Sequence, residues 1–191
     1  MYKTEIETKH ELMVLGLAKD GQELIKGLTP KTAHNLHMAI GISGEVAELV
    51  EAMIDGSLMN LVEEIGDCYF YITGLIQGAG VQPHYVNYSD YYNAVGAGMY
   101  VYGAAMKLSI CAGFLLDAVK KEAIYNKPLD LIECEKQLSI ILCCLETIMK
   151  SRGITKEQCL QANYDKLGKR YENHQYSDEQ AQQRKDKNGE S

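Results

Sequence analysis

Apolar positions recur every three to four residues along most of the chain, the period of a helix with one buried face. No alternating run reaches strand length, although Tyr85-Val86-Asn87-Tyr88 is locally ambiguous. The spacing predicts helices near 4–26, 30–55, 57–79, 88–122, 129–151 and 155–171, and a short one at 177–186. The punctuation fits these limits. Pro30, Pro83 and Pro128 all fall at breaks, and Thr29-Pro30 places an N-cap before a proline at the first helical position. Thr155-Lys156-Glu157-Gln158 and Ser177-Asp178-Glu179-Gln180 have the form of capping boxes. The polar residues from Arg184 to Ser191 are expected to fray. The predicted fold class is all-α.

Two helices carry more than a core. Ile42, Val46, Leu49 and Met53 form one apolar stripe, and Leu61, Ile65, Cys68, Ile72 and Leu75 form another. Glu45 and Glu48 lie together at the edge of the first stripe, Glu64 and Asp67 at the same edge of the second. Small or polar residues continue those rows: Gly41 and Ala52, then Asn60, Tyr71, Gly74 and Gly78. The short turn at Asp55-Gly56-Ser57 makes the helices antiparallel neighbours, so four carboxylates face one another. No lysine or arginine lies between Lys31 and Lys107 to neutralise them. Either the group is a solvated acidic face, or it holds a hard cation, Mg²⁺ or Mn²⁺, on oxygen ligands alone.

Composition narrows the class. A chain of 191 residues is one domain's worth with a sizeable core. A net charge of −7 disfavours wrapping duplex nucleic acid, which needs a broad basic surface. The cysteines at 68, 111, 134, 143, 144 and 159 sit in apolar runs without CxxC spacing, and read as buried thiols in a reducing, cytoplasmic setting. The polar N-terminus does not have the form of a signal peptide. Residues 94–116 are almost wholly apolar, but Lys107 near their middle is costly in a bilayer, so a buried bundle helix is expected and no membrane partner.

A family resemblance enters at the carboxylates. Gly44-Glu45-Val46-Ala47-Glu48-Leu49 followed by Glu64-Ile65-Gly66-Asp67 is similar to the ExxE…ExxD signature of the MazG-like all-α NTP pyrophosphatases, a superfamily that includes MazG, the dimeric dUTPases and phosphoribosyl-ATP pyrophosphohydrolase. His37-Met38-Ala39-Ile40-Gly41 and Tyr71 also resemble the MazG-like pattern. Downstream, Asn163-Tyr164-Asp165-Lys166-Leu167-Gly168-Lys169-Arg170-Tyr171 resembles the family's C-terminal Asn-x-x-Lys-Leu-x-x-Arg-Tyr segment. The residues around Ser177, Ala181 and Arg184 resemble the tail of phage-type members, which would place the protein in a host cytoplasm.

The chain departs from a usual member in the long stretch between ExxD and that tail. A degenerate second copy is expected there, repeat one covering about 1–85, repeat two about 86–176, and a tail 177–191. Leu115-Leu116-Asp117-Ala118-Val119 aligns with Leu49-Val50-Glu51-Ala52-Met53, which sets Cys111 against Glu45 and Phe114 against Glu48. With a connection six residues longer, Lys136 falls on Glu64 and Ser139 on Asp67, and Lys136 would place an ammonium at the lost metal position. Such a chain would be a pseudo-dimer with one working site, alone or as a homodimer.

The resemblance implies hydrolysis of a nucleoside triphosphate to monophosphate and pyrophosphate. Glu45, Glu48, Glu64 and Asp67 would hold one to three Mg²⁺ (or Mn²⁺), with Glu48 or Glu45 orienting or deprotonating water. Asn163, Lys166, Lys169, Arg170 and Tyr171, with Arg184 if its tail folds back, would meet the phosphates. Asn35 and His37 would lie at the mouth of the same helix and hydrogen-bond a base, or else Asn35 would belong to a solvated N-terminal turn and His37 would be capped or partly buried. Tyr71 would touch substrate, and tyrosines 85, 88, 91, 92, 100 and 102 would either stack on a base or pack. A di-iron bundle needs two Glu-x-x-His motifs, and only Glu7-Thr8-Lys9-His10 fits. The remaining alternative is a catalytically inactive nucleotide-binding or interaction protein of the same fold.

Overall fold

Among the described residues, helices form where helices were expected, and their ends follow the capping chemistry. The computed structural model describes residues 3–84 and 100–186, all of it helical or connecting segments. The order is α1 (Glu5–Leu17), α2 (Gly21–Gly27), α3 (Pro30–Asp55), α4 (Leu58–Ala79), α5 (Tyr100–Tyr125), α6 (Leu131–Arg152), α7 (Lys156–Arg170), a 3₁₀ turn (Glu172–His174) and α8 (Asp178–Gln183). The helix predicted over 4–26 is in fact two. Asp20 breaks it by accepting the backbone N–H groups of Gln22 and Glu23, an N-cap inside the predicted span. Thr29 caps α3, with Pro30 in its first turn, and Thr155 closes a full capping box on α7. Ser177 caps α8 through Gln180. Residues 88–99 and the Tyr85–Tyr88 stretch lie outside the described residues.

The core is two hairpins, α3–α4 and α5–α6, joined where α3 packs on α5, with α7 laid along α4. Every residue of the two predicted stripes is buried, and Leu108, Leu115, Leu138, Ile141, Leu145 and Ile148 fill the second hairpin. Five cysteines are buried and Cys143 is partly so. Lys19, in the link between α1 and α2, reaches the end of α5 by donating to the Ile124 carbonyl at 2.6 Å. By contrast α1 buries nothing, and Ile6, Leu12, Leu15 and Leu17 are exposed.

The hairpins share their dimensions. Helices of 26 and 22 residues make up each, and α4 and α6 both end on glycine, Gly80 at φ 74° and Gly153 at φ 67°. Along α3, Met38, Ile42, Val46, Leu49 and Met53 are buried; along α5, Ala104, Leu108, Ala112, Leu115 and Val119 are buried at the same spacing. Along α4, Leu61, Ile65, Cys68, Ile72 and Leu75 correspond in the same way to Cys134, Leu138, Ile141, Leu145 and Ile148. Set by buried positions, the register agrees with the expected one for α3 and α5 and differs from it by a residue for α4 and α6. Gln137 and Ile140, not Lys136 and Ser139, stand where Glu64 and Asp67 stand in the first hairpin. Lys136 is instead exposed and pairs with Glu133 at 3.3 Å. The α5 span Val101–Tyr125 is long and apolar enough to cross a membrane by length and composition; here its apolar stripe packs against α3 and α6.

Candidate metal centre

Gly56 turns the chain at φ 73°, and the facing edges of α3 and α4 bring three carboxylates together. One oxygen each from Glu45, Glu48 and Glu64 lies within 4.8 Å of the other two. Glu45 and Glu64 are partly buried and Glu48 is exposed. Burial, the negative charges of Asp67 and Glu48, and a hydrogen bond with Glu64 push the Glu45 carboxyl up to about 8. Glu64 is raised as well, by burial first and then by Glu48, while its hydrogen bond with Glu45 opposes the rise. Both shifts favour a proton held within the cluster, on Glu45 above all. An oxygen-only cluster of this kind suits a hard divalent cation, which would relieve the crowding by replacing that proton.

The fourth carboxylate is occupied differently. Asp67 accepts the Asn163 amide at 2.6 Å and the Lys166 ammonium, and Lys166 also donates to Glu63 at 3.0 Å. Burial alone would lower the Lys166 pKa, but the two carboxylates outweigh it and raise it. This contact exists because Gly66 lets α7 touch the α4 backbone. A methyl group there would sit 2.5 Å from the Cys159 carbonyl and 2.9 Å from the Asn163 Cβ. Asp67 remains close enough for its charge to raise both Glu45 and Glu64.

Tyr71 lies across Gly41, where a Cβ would overlap its ring. His37 meets that ring edge-on, with centroids 5.9 Å apart. Burial and the charges of Glu45 and Asp67 raise the Tyr71 phenol, and Tyr171 and Arg170 are also among its neighbours. Tyr71 thus stands between the acidic cluster and the cationic end of α7. Asn35 is enclosed rather than set at an open mouth: it is 0% exposed, and neither side-chain amide atom has a partner. His37 is exposed, and its neighbour His34 contacts the Gly74 carbonyl at 3.1 Å. Lys169 is exposed on the last turn of α7. Arg184 is exposed in the left-handed region at φ 44°, and the tail around it does fold back. Of the tyrosines proposed for stacking, Tyr102 is 64% exposed, while Tyr85, Tyr88, Tyr91 and Tyr92 and the side chain of Tyr100 lie outside the described residues.

Two participants were missed from sequence, Glu63 and Asp186. Glu63 directly precedes Glu64 and lies one turn before Asp67 on α4, but its partner Lys166 is distant in sequence. Asp186 sits on Arg170, both oxygens engaged, at the end of a tail expected to fray. Compared with known proteins, the chain matches no family model, no curated protein and no solved structure.

Proposed function

We propose that the protein is a divalent-metal-dependent nucleoside triphosphate pyrophosphohydrolase, converting (d)NTP and water to (d)NMP and pyrophosphate. The observation that carries this reading is the convergence of the Glu45, Glu48 and Glu64 oxygens on adjacent helices, next to the cationic end of α7. When bound there, Mg²⁺ or Mn²⁺ would supply charge neutralisation for the polyphosphate and acidify water at the site. Glu45 and Glu64 would hold it. Glu48, the exposed member, would take a proton from attacking water. Lys166 and Arg170 would meet phosphate oxygens, and Tyr71 would border the substrate. In the same reading the two hairpins are a MazG-like tandem pseudo-dimer, whose second copy has Cys111, Phe114, Gln137 and Ile140 at the ligand positions.

One observation favours a second reading. Asp67 is already paired with Lys166 and Asn163, so a nucleotide-binding protein that no longer turns over its ligand would also fit. An assay for pyrophosphate and monophosphate release separates the two. It would use the common ribo- and deoxynucleoside triphosphates plus dUTP, each with Mg²⁺ or Mn²⁺. Metal-dependent pyrophosphate release lost in Glu48→Gln supports the enzyme. Binding of a triphosphate without any release supports the second reading.

A further inference from the structure

The returning tail places a carboxylate on one of the cations that the proposed function assigns to phosphate. Arg170 donates to Asp186 through Nε at 2.7 Å and through Nη2 at 2.5 Å. The Asp186 side chain is 2% exposed and the Arg170 side chain 16%. This two-point fork fixes the guanidinium plane and leaves the Nη1 edge outside it, with the Tyr171 phenol as a further hydrogen-bond partner of the same guanidinium. The return is built rather than incidental: Ser177 caps α8, and Gln180 from the same helix accepts the Glu172 backbone N–H at 3.4 Å.

We propose that Asp186 is a positioning residue, orienting Arg170 so that its remaining edge serves a polyphosphate oxygen beside Tyr71. The proposal rests on the reading of the site given above. A carboxylate at this place has two conceivable uses, as an anchor or as a latch that substrate displaces. The burial of the pair selects the anchor, because opening it would strand a shielded charge on each side. Arg170 belongs to α7, whose Asn163 and Lys166 already bind Asp67, so its orientation is set relative to the acidic cluster as well.

The test uses the full chain, with inorganic tripolyphosphate binding by calorimetry and steady-state kinetics on the best nucleotide. Asp186→Asn is expected to weaken tripolyphosphate binding about tenfold and raise KM similarly, with kcat changed by less than about twofold. Asp186→Glu should recover most of the binding. Arg170→Lys, which keeps the charge but cannot be forked, should match Asp186→Asn and covers the case in which that variant does not fold. Unchanged binding in a folded Asp186→Asn overturns the proposal whatever Arg170→Lys does, unchanged binding in Arg170→Lys overturns it too, and tighter binding in Asp186→Asn overturns it in favour of the latch. A wild-type protein that binds tripolyphosphate through Asp186 and Arg170 yet hydrolyses no nucleotide would sustain this inference and overturn the proposed function. Turnover with KM indifferent to Asp186 would do the reverse.

Discussion

Hairpin α3–α4 and hairpin α5–α6 have the same helix lengths, a glycine stop at the end of the second helix and the same spacing of buried positions. Their flanks differ. The first carries Glu45, Glu48, Glu64 and Asp67; the matching places of the second hold Cys111, Phe114, Gln137 and Ile140. Packing is also exchanged. In the first hairpin Gly41 and Gly74 make room for Tyr71 and Met38. In the second, Lys107 and Thr147 stand at the glycine positions, and the smaller Cys144 and Ala104 stand at the Tyr71 and Met38 positions. Lys107 lies near enough to Cys144 to oppose the rise in its pKa that burial causes. One frame thus tolerates two flanks. The apolar stripe fixes how the helices pair, and the edge residues are left to carry chemistry or to pack.

The sharpest way to break the comparison is to give the first hairpin a residue of the second. Glu64→Gln places there the side chain found at Gln137. It removes one oxygen donor's charge and should lower metal-dependent turnover by at least about 100-fold. The fold should survive, since the change removes like-charge crowding. Circular dichroism and metal calorimetry, run beside the product assay, check both halves. Turnover within a few-fold of wild type would show that the carboxylate cluster is not the centre of the reaction.

A second difference should appear in pH dependence, because only the first hairpin holds crowded carboxylates. Glu45 is raised from 4.5 to about 8 in the folded, metal-free protein. Between those values the folded chain keeps a proton that the unfolded chain releases, so this group makes stability fall as pH rises from about 4.5 to 8. Below that window its contribution is constant. Melting temperatures of the metal-free protein should therefore decline across the window more steeply than those of Glu45→Gln. Mg²⁺ or Mn²⁺ should restore more stability at pH 8 than at pH 6, because binding displaces the proton. Parallel melting curves for the two proteins would remove Glu45 as the cause.

Much of this was legible because it is local. Caps at Thr29, Thr155 and Ser177 act within three residues, and the edge positions of Glu45, Glu48 and Glu64 follow from helical period alone. The Lys166–Asp67 and Arg170–Asp186 pairs were not legible, since each depends on how a distant segment docks. Gly66 was the one local hint of the first, as a small residue where another helix could touch the backbone. The one-residue error in the second hairpin arose where periodicity is least informative, in the connection between α5 and α6. Asp20 was misread for a simpler reason: its capping side chain lies inside a span of tolerable helical pattern.

Packing gives a smaller test. Gly41→Ala puts a methyl group into the Tyr71 ring, and α3 cannot move without disturbing its contact with α5. The expected cost is about 1–3 kcal/mol, read as a lower melting temperature, with KM raised if the displaced ring borders substrate. Gly41→Ala combined with Tyr71→Cys, which reproduces the small partner found at Cys144, should recover part of the stability but not the KM.

The smallest effect is expected at Cys111, the place that matches Glu45. Its thiol is 0% exposed, and burial raises its pKa while Lys107 and Lys136 oppose the rise. Cys111→Ala removes one buried sulfur from a packed interior, a change expected to cost about 1–2 kcal/mol in melting experiments. Turnover should stay within about twofold, because in the proposed assignment nothing in the second hairpin touches metal or phosphate. The control that gives this meaning is Glu45→Ala, at the matching place of the first hairpin. It should abolish turnover while leaving the metal-free fold as stable as before or more so. Loss of activity in Cys111→Ala on the scale of Glu45→Ala would mean that both hairpins contribute to one site, and the division of labour drawn between them would fail.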